Sequence, residues 1–324
     1  MIKFQVIIQS VQKELALFDK LFEEALYNRE HNFQFMVDFI SGRRGKKIRP
    51  IILFLSAKLC GIPTTKTIEY AVIIELLHTS SLLHDDVIDN TMERRGQPSV
   101  NAQYNNKAAV LIGDFILSQA IIRGVNTENI SVLKLFSNLA QNLIEGELIQ
   151  LVASSDNTIH EKQYFEIIHK KTAVLISSCT ELGAMSVHAE PEKVEILRLI
   201  GENLGICFQI KDDLFDYFEQ GKIGKPTGND IREGKITLPL IYALNNAPTD
   251  KSQAIREIIQ NQNFNRENTE ILISFAKEYN GIGYAQQKMN EIKEKTLVLL
   301  NEFPDSEIKQ LMIDLIDYII EREK

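Results

Sequence analysis

The sequence predicts an all-α protein, a single-domain bundle of about ten to thirteen helices over residues 1–324. Apolar residues recur at spacings of three and four along most of the chain, which is the pattern of amphipathic helices. Gly (16) and Pro (8) sum to 24 of 324 residues, about 7 % where roughly 12 % is usual, so turns are few and elements long. Strand signals are weak, because no two-residue hairpin turn separates two alternating runs.

Twelve segments carry the helical pattern. They are expected near residues 3–28, 48–60, 65–89, 107–123, 128–152, 160–188, 191–219, 236–246, 251–261, 268–279, 281–301 and 305–322. In the second segment Pro50 falls in the first turn, where its missing N–H has no helical partner in any case. The segments 65–89 and 191–219 are longer and more apolar than surface helices, which places them at the centre of the bundle.

Two Gly-rich stretches, 42–47 and 221–235, are predicted to be loops. Neither has the composition of an interdomain linker, and the helical pattern resumes on each side of both. No internal repeat of 20–50 residues is present. The whole chain is therefore expected to form one domain.

Composition and charge exclude several classes of protein. The net charge is −8, from 36 basic and 44 acidic residues, so a nucleic-acid partner is not expected. No run of 18 uninterrupted apolar residues occurs, so stable membrane insertion is not expected either. Cys60, Cys179 and Cys207 are far apart in apolar stretches, which favours buried thiols in a reducing compartment over disulfides or a metal cluster. A cytoplasmic protein is the expectation.

One short pattern, DDxxD, occurs twice, each time at the end of a long apolar segment. The six carboxylates are those of Asp85, Asp86, Asp89, Asp212, Asp213 and Asp216. On a helix, residues four apart lie on one face with Cβ atoms about 6 Å apart, so the first and last aspartates of each motif are side by side. The middle aspartate is turned about 100° away, and it either ligates or orients its neighbours.

These carboxylates predict a divalent metal ion. They follow apolar helical runs, where unpaired charges would repel one another and lose solvation. A counter-cation is therefore implied, and all-oxygen ligation selects a hard ion such as Mg²⁺. A lone DDxxD is more simply a solvated acidic turn, but two copies on two apolar helices favour a metal site.

Basic residues concentrate in loops and at helix ends. Lys46, Lys47 and Arg49 lie at the start of the helix 48–60, where free backbone amides already favour phosphate. The others are Arg94, Arg95, Lys170, Lys171, Lys211, Lys225 and Lys235. Any single lysine is most simply a solvated surface charge. Together with six carboxylates, however, these cations indicate a site that holds two polyanionic groups.

His78 precedes the first aspartate of the first motif by seven residues, which is two helical turns. It is therefore expected on the same face as that carboxylate. A lone histidine on a helix is more often a satisfied core residue, so this assignment depends on the acidic site next to it.

The sequence resembles the trans-prenyltransferase family, the head-to-tail polyprenyl diphosphate synthases, over nearly its whole length. The motifs that carry the resemblance are GKKIRP (45–50), ELLHTSSLLHDDVIDN (75–90), RRGQPSVN (94–101), GDFILS (113–118), GELIQL (146–151), KKTAVLISSC (170–179), FQIKDDLFDYF (208–218) and GKPTGNDIREGKITLPL (224–240). They occur in the family's order and spacing. The pattern is similar to the bacterial medium- and long-chain branch rather than the short-chain farnesyl branch.

The resemblance implies the isoprenoid synthase fold, with a central cavity, and a homodimer. It also implies the reaction: isopentenyl diphosphate is added head to tail to an allylic diphosphate, such as farnesyl or geranyl diphosphate, and diphosphate is released. The product would be a linear all-trans polyprenyl diphosphate of medium or long chain. Two or three Mg²⁺ ions per site are expected. The two acidic clusters are expected to face each other across an apolar tunnel.

Matching positions carry the family's roles to this chain. The catalytic residues would be Asp85, Asp89, Asp212 and Lys171, the three aspartates being the principal Mg²⁺ ligands with help from Asp86, Asp213 and Asp216. Isopentenyl diphosphate would be held by Lys46, Arg49, His78 and Arg95. The allylic diphosphate would be held by Arg94, Lys171, Thr172, Gln209, Lys225 and, as a weaker candidate, Lys235. Lys47 stands where the family often has arginine.

Helical geometry suggests how product length is set. A helix advances 5.4 Å per turn, roughly the length of one extended isoprene unit. Ser81 and Ser80 lie four and five residues before Asp85, where short-chain relatives commonly carry a bulky aromatic residue that closes the pocket. Two serines leave the pocket open, and Leu77 on the next turn is not aromatic. A medium- or long-chain product is therefore predicted.

Two other functions remain open at this point. A class I terpene cyclase also ionises an allylic diphosphate with Mg²⁺, but its second metal site normally mixes Asn, Ser or Thr, and Glu. A cyclase also has no need of cations for a second diphosphate. A non-catalytic partner subunit of a prenyl synthase usually lacks one aspartate motif, whereas this chain has both.

Overall fold

The computed structural model describes residues 2–27, 33–41, 45–94, 96–156, 160–218 and 228–322. These residues are mostly helical, which confirms the all-α prediction. In chain order the helices are α1 (Ile2–Ser10), α2 (Gln12–Leu26), α3 (Gln34–Ser41), α4 (Ile48–Cys60), α5 (Thr65–Ile88), α6 (Val100–Gln103), α7 (Asn106–Asn126), α8 (Ile130–Asp156), α9 (Glu161–Ile168), α10 (Val174–Ser186), α11 (Pro191–Phe215), α12 (Asn229–Arg232), α13 (Leu238–Asn246), α14 (Thr249–Gln260), α15 (Arg266–Glu278), α16 (Gly281–Leu300) and α17 (Glu307–Glu321). A π-helix, His169–Ala173, joins α9 to α10. Two short strands, β1 (Glu93–Arg94) and β2 (Gln97–Pro98), pair antiparallel.

The described residues are divided into more helices than the periodicity indicates. The expected segment 3–28 is two helices, because the backbone of Val11 (φ −121°, ψ 18°) leaves the helical region. The apolar stripe continues across this break, so the sequence pattern does not reveal it. The expected segment 160–188 is likewise interrupted by the π-helix. By contrast, α4 begins and ends at the expected residues.

α5 shows how local sequence fixes the position of the first DDxxD motif. Thr64 and Thr67 form a capping box at its start, in which the Thr64 N–H donates to Thr67 Oγ1 at 2.9 Å. A nearly continuous run of buried apolar side chains, which includes Ile73 and Leu76, then keeps the helix in the core. The helix ends at Ile88, so the last aspartate of the motif is its C-terminal cap.

α7 packs closely against the second half of α5. The Ser80 hydroxyl donates to the Gly113 carbonyl at 2.9 Å. A Cβ atom on Gly113 would collide with the imidazole ring of His84, so a larger residue there would displace that ring. The two helices are therefore held together next to the first aspartate motif.

The chain forms two compact units, each assembled from separate stretches of sequence. Unit 1 comprises Met1–Gln141, Ser178–Arg198 and Ser306–Leu311, and unit 2 comprises Asn142–Ser177, Leu199–Asp305 and Met312–Lys324. The core of unit 1 contains the fully buried side chains of Phe18, Phe54 and Tyr70. The core of unit 2 contains Ile210 and Tyr217, together with apolar residues from α13 to α17.

α7 is the one helix of the described residues that is long and apolar enough to cross a membrane, on length and composition alone. About a third of its apolar stretch is buried in the protein (33 %). A single helix of this kind is weak support for membrane insertion, because core helices of soluble proteins pass the same test.

Candidate functional site

The first aspartate motif is built on the last turn of α5, within unit 1. The Asp86 carboxylate is buried and accepts hydrogen bonds from Arg94, at 2.8 Å from Nε and 2.6 Å from Nη2. The Asp86 carbonyl accepts from Asn101 at 3.2 Å, which ties the motif to the segment after β2. The middle carboxylate is therefore held by a cation, while Asp85 is half-buried and Asp89 exposed.

A cavity of about 100 Å³ lies beside this motif in unit 1. Its wall is largely apolar and includes Phe18, Phe22, Ile40, Leu82 and Leu83. Its polar lining comes from Gly45, Lys47, Glu75, His78, Thr79, Asp86, Arg94 and Ser99. His78 and Asp86 thus line one cavity, whereas Asp85, the carboxylate expected on the face of His78, is not part of its lining. Arg94 lines the same cavity as His78, in unit 1.

The segment before α4 supplies a cation to the same cavity. Lys47 adopts a left-handed backbone (φ 54°) as the N-terminal cap of α4, and its ammonium pairs with Asp19 at 2.6 Å. Lys46 is exposed and Arg49 is half-buried in the first turn of the helix. Lys46, Lys47 and Arg49 are therefore close together in sequence, and of the three Lys47 lines the cavity.

The second aspartate motif is built differently, at the end of α11 within unit 2. The buried Asp213 carboxylate accepts hydrogen bonds from the Tyr164 hydroxyl at 2.6 Å and from Gln209 Nε2 at 2.8 Å. Burial, followed by the nearby carboxylate of Asp230, raises the pKa of Asp213 to about 7, although both hydrogen bonds act to lower it. The same burial raises the pKa of Tyr164 well above its usual range. Among the described residues, the hydrogen bonds to this middle carboxylate come from neutral donors.

The last aspartate of the second motif anchors the chain that follows it. Both oxygens of Asp216 accept backbone N–H groups, from Asn229 at 2.8 Å and from Asp230 at 3.0 Å. These two N–H groups belong to the first turn of α12, which leaves them without helical partners. Burial raises the pKa of Asp216, and these hydrogen bonds oppose the shift. Asp216 therefore anchors the start of α12, in addition to its predicted role as a metal ligand.

The first aspartate of the second motif contacts the end of the chain. Asp212 is 40 % exposed, and its Oδ1 lies 2.5 Å from Nη2 of Arg322. The Arg322 guanidinium also donates to the Phe208 carbonyl at 3.1 Å. This contact has no signal in the sequence, because Arg322 lies more than a hundred residues away, after an acidic helix.

A cavity of about 200 Å³ in unit 2 gathers most of the predicted ligands of the allylic diphosphate. Lys171, Thr172, Gln209 and Lys235 all line it, together with Asp213. Its remaining lining comes from Gln150, Tyr164, Ile167, Ile168, Asp230, Ile236 and Thr237. The wall is more polar than that of the unit 1 cavity, as expected for a site that receives a charged group.

Side-chain contacts order the polar groups of the unit 2 cavity. The Lys171 ammonium lies 2.6 Å from Glu147 Oε1 and donates to Gln150 Oε1 at 2.9 Å. The Thr172 hydroxyl donates to Gln209 Oε1 at 2.7 Å, and Gln209 in turn donates to Asp213. A chain of hydrogen bonds therefore runs from Thr172 to the middle carboxylate of the second motif.

Lys171 and Thr172 belong to the π-helix, which the sequence pattern does not reveal. π-Helical turns are rare and occur frequently at functional sites. Glycines on the two adjacent helices allow this wider turn to fit: a Cβ on Gly146 of α8 would collide with Lys171, and one on Gly205 of α11 would collide with Ala173. The sequence signal for this feature is indirect, two glycines inside otherwise good helices.

The predicted chain-length residues lie along α5 in unit 1. Leu77 and Ser80 are buried, and the Ser80 hydroxyl donates a hydrogen bond to the Gly113 carbonyl of α7. Ser81 is half-buried, and its hydroxyl donates to the His78 carbonyl of its own helix at 3.0 Å. Of these positions, Ser81 offers the most room for a larger side chain.

Two predicted ligands, Arg95 and Lys225, lie outside the described residues. Within the described residues, Tyr164, Gln150, Glu147, Asp230 and Arg322 contact predicted site residues but were not predicted themselves. Gln150 lies in the GELIQL motif and Asp230 in the GNDIREGK stretch, so those motifs were the available signal. Tyr164 and Arg322 lie outside all of the family motifs.

The donor set of the aspartate motifs fits a hard divalent cation, since every candidate ligand is a carboxylate oxygen. Among the residues that the structure describes, no three His, Cys, Asp or Glu side chains are grouped as a metal centre. Asp85 and Asp89 nevertheless share a helical face, one half-buried and one exposed. Mg²⁺ in enzymes is commonly bound by one or two carboxylates, with water and substrate phosphates completing the octahedron.

Comparison with known proteins identifies the family. Residues 30–275 match the polyprenyl synthetase family. The chain is 34 % identical over 320 residues, 98 % of each chain, to an all-trans-nonaprenyl-diphosphate synthase (geranyl-diphosphate specific) of Rhodobacter capsulatus. It is 33 % identical, over 88 % of each chain, to the octaprenyl diphosphate synthase of Escherichia coli K12.

The fold agrees with this assignment. A crystal structure of polyprenyl synthase from Caulobacter crescentus CB15, complexed with calcium and isoprenyl diphosphate, matches with a TM-score of 0.92 at 27 % identity. The match covers 99 % of this chain and 98 % of that one. The helices, the two aspartate motifs and these similarities agree: the chain has the isoprenoid synthase fold and belongs to the polyprenyl synthetase family of trans-prenyltransferases.

Proposed function

We propose that the chain condenses isopentenyl diphosphate head to tail with an allylic diphosphate, giving a linear all-trans polyprenyl diphosphate of medium or long chain. The observation that carries the proposal is the cavity of unit 2, in which Lys171, Thr172, Gln209 and Lys235 lie together beside the second aspartate motif. Four residues chosen by family motif thus share one polar cavity. The whole chain is proposed to act as a single domain.

Asp85, Asp89 and Asp212 are the proposed ligands of two or three Mg²⁺ ions. When bound, Mg²⁺ would neutralise the negative charge that grows on the leaving diphosphate as its carbon–oxygen bond breaks. Asp86 orients the first motif through Arg94, and Asp213 orients the second through Tyr164 and Gln209.

The side chains of the unit 2 cavity are proposed to bind the allylic diphosphate. The Lys171 ammonium is held by Glu147 and Gln150, so it is already oriented before an anion arrives. Arg94, Lys225 and Lys235 complete the proposed set, with Thr172 and Gln209 as neutral ligands. Arg94 lines the unit 1 cavity, unlike the other described residues of this set. Its assignment to the allylic diphosphate should therefore be tested first.

Lys46, Arg49, His78 and Arg95 are proposed to hold isopentenyl diphosphate, whose double bond attacks the allylic carbon. The apolar wall of the unit 1 cavity, which includes Phe18 and Phe22, would exclude water from a carbocation that water would quench. No side chain is proposed as general base. The proton lost after carbon–carbon bond formation is assigned to the released diphosphate.

One incubation separates the synthase from the two alternatives. The purified chain alone is mixed with Mg²⁺, labelled isopentenyl diphosphate and farnesyl or geranyl diphosphate, and the products are analysed by mass spectrometry. Linear elongated products are expected, and chelation with EDTA should abolish them. A cyclic hydrocarbon would identify a terpene cyclase, and no turnover would identify a non-catalytic partner subunit.

A homodimer is proposed on the exposed apolar face of α7. Leu111, Ile122 and Val125 are each more than half exposed and fall within about 60° of one another on the helix. An apolar face of this kind is characteristic of a protein interface. Ile122→Glu should convert a dimer to a monomer in size-exclusion chromatography with light scattering. Val298→Glu, at an exposed apolar position of α16, should leave the dimer intact.

If the unaltered chain is monomeric in that measurement, the dimer proposal is wrong. A cytoplasmic location is also proposed, supported by Cys60, Cys179 and Cys207, none of which forms a disulfide within the described residues.

A further inference from the structure

The last described residue of the chain, Arg322, makes an ordered contact with α11 inside unit 2. Its backbone N–H donates to the Tyr318 carbonyl at 2.9 Å, which continues the helical path of α17. The preceding turn is fixed by an ion pair between Lys293 and Asp317 at 2.7 Å, which raises the pKa of Lys293. Ile319 is buried in the core. Arg322 therefore extends from an anchored helix.

Three residues on one face of α11 receive the Arg322 side chain. Phe208, Asp212 and Phe215 are spaced four and three residues apart, as neighbours on a helix face are. The guanidinium carbon lies 4.0 Å from the ring centroid of Phe208 and 5.5 Å from that of Phe215. Stacking on two rings and the ion pair to Asp212 leave the Arg322 side chain only 9 % exposed.

Burial of this guanidinium requires a compensating charge. Nε of Arg322 is buried without a hydrogen-bond acceptor, which costs free energy. The ion pair with Asp212, the Phe208 carbonyl and the two rings offset that cost. An arginine side chain would remain in water unless these contacts favoured the buried position.

The same contact compensates the negative charge of the second motif. Asp212 and Asp213 are consecutive residues of α11, and Asp230 lines the same cavity as Asp213, so three carboxyl groups are gathered here. The bonds to Asp213 come from neutral donors. Arg322 is a cation that contacts the motif directly, at Asp212.

We infer that Arg322 is a built-in counter-ion of Asp212, and that a divalent cation must displace or share this ion pair in order to bind. Arg322 is thus a positioning residue that sets the metal affinity of the second motif. The inference rests on the proposed function, which makes Asp212 a metal ligand. Its physical basis is simple, because a fixed positive charge next to a ligating carboxylate weakens the binding of a second positive charge.

Metal binding by the full-length protein tests this inference without substrate or turnover. Mn²⁺ is titrated alone, and bound ion is measured by electron paramagnetic resonance. Arg322→Met should bind Mn²⁺ about tenfold more tightly than the unaltered chain, because one nearby positive charge is lost. Arg322→Lys should fall between the two, since lysine keeps the charge but not the planar stacking. Arg266→Met, at a surface ion pair with Glu270 whose arginine is 89 % exposed, should not change the affinity.

Thermal denaturation supplies a second readout. Metal-free Arg322→Met should unfold at a lower temperature than the unaltered chain, because Asp212 loses its counter-ion. Mn²⁺ should raise its unfolding temperature by more than it raises that of the unaltered chain, since the ion restores the missing charge. If Arg322→Met does not fold, Arg322→Lys is tested instead. We expect it to bind Mn²⁺ about threefold more tightly than the unaltered chain.

Asp212→Asn separates failure of the inference from failure of the proposed function. If Asp212→Asn weakens Mn²⁺ binding and the Arg322 variants do not strengthen it, the inference is overturned and the metal assignment stands. If Asp212→Asn leaves Mn²⁺ binding unchanged, Asp212 is not a ligand, and both the assignment and the inference are overturned.

Discussion

The two aspartate motifs share one sequence pattern but have different surroundings. In unit 1 the middle carboxylate, Asp86, is paired with the Arg94 guanidinium at 2.6 Å. In unit 2 the middle carboxylate, Asp213, accepts from a tyrosine hydroxyl and a glutamine amide. In unit 2 a cation, Arg322, instead pairs with the first aspartate, Asp212. Identical motifs therefore do not have identical electrostatics.

The cavities beside the two motifs also differ, in the polarity of their walls. That of unit 1 combines an apolar wall with His78 and Lys47, whereas that of unit 2 is lined mainly by polar side chains around Lys171. A wall that is mostly apolar suits a hydrocarbon next to a phosphate, and a polar wall suits a diphosphate that must leave. If the proposed function is correct, the two cavities serve different parts of the reaction.

The largest effect is expected from the outer carboxylates of both motifs. Asp85→Asn and Asp212→Asn should each lower kcat by about 10³-fold, because each removes charge from a proposed metal ligand. Steady-state turnover with mass detection of the product measures the loss. If either variant keeps more than a tenth of the activity, that motif is not required for chemistry, and the two motifs are unequal in function as well as surroundings.

Adjacent lysines of the π-helix give a matched test of the unit 2 cavity. Lys171 lines the cavity, whereas Lys170 pairs with Glu145 at 2.6 Å. Lys171→Met should lower kcat/KM for the allylic diphosphate about 100-fold, with little change in KM for isopentenyl diphosphate. Lys170→Met should stay within about threefold of the unaltered chain, as expected for a partly exposed ion pair.

The reverse pattern is expected for His78→Ala, which should raise KM for isopentenyl diphosphate. If Lys171→Met and His78→Ala affect the same substrate, the division of labour between the two cavities is wrong.

The middle carboxylates should differ in their effect on stability. Asp86→Asn leaves the Arg94 guanidinium without its anionic partner and should lower the free energy of unfolding by about 2 kcal/mol, a value reduced because Arg94 is 37 % exposed. Asp213→Asn leaves only neutral donors behind and should cost less than half as much. Urea unfolding of both variants measures the difference. Equal losses would show that the neutral donors matter as much as the cation.

Sequence reasoning succeeded where the determinants are local. The bounds of α4, with Pro50 in its first turn, agree with the sequence pattern, and the position of both motifs at helix ends follows from periodicity. The grouping of Lys171, Thr172 and Gln209 came from the family resemblance, and the structure places the three side chains in one cavity.

The rest depends on contacts between distant residues. The break at Val11 and the π-helix leave the apolar stripe unchanged, so periodicity cannot report them. Tyr164 and Arg322 act through side chains 49 and 110 residues away from their partners in the second motif. A pattern of spacings within one helix carries no information about such partners.

The smallest effect on rate is expected from a substitution at Ser81, the predicted chain-length position of α5. This variant tests unit 1 alone. Ser81→Phe places a ring on the face of α5 that leads away from Asp85, and it should shorten the product by one or more isoprene units while kcat changes only a few-fold. Ser80→Phe is the less direct variant, because Ser80 donates to Gly113 and a phenyl ring there would push α7 away. Mass spectrometry measures the product length of each variant, and the melting temperature shows whether the variant is folded. If Ser81→Phe folds normally and its product is as long as before, this face of α5 does not limit the growing chain, and the length-determining wall lies elsewhere.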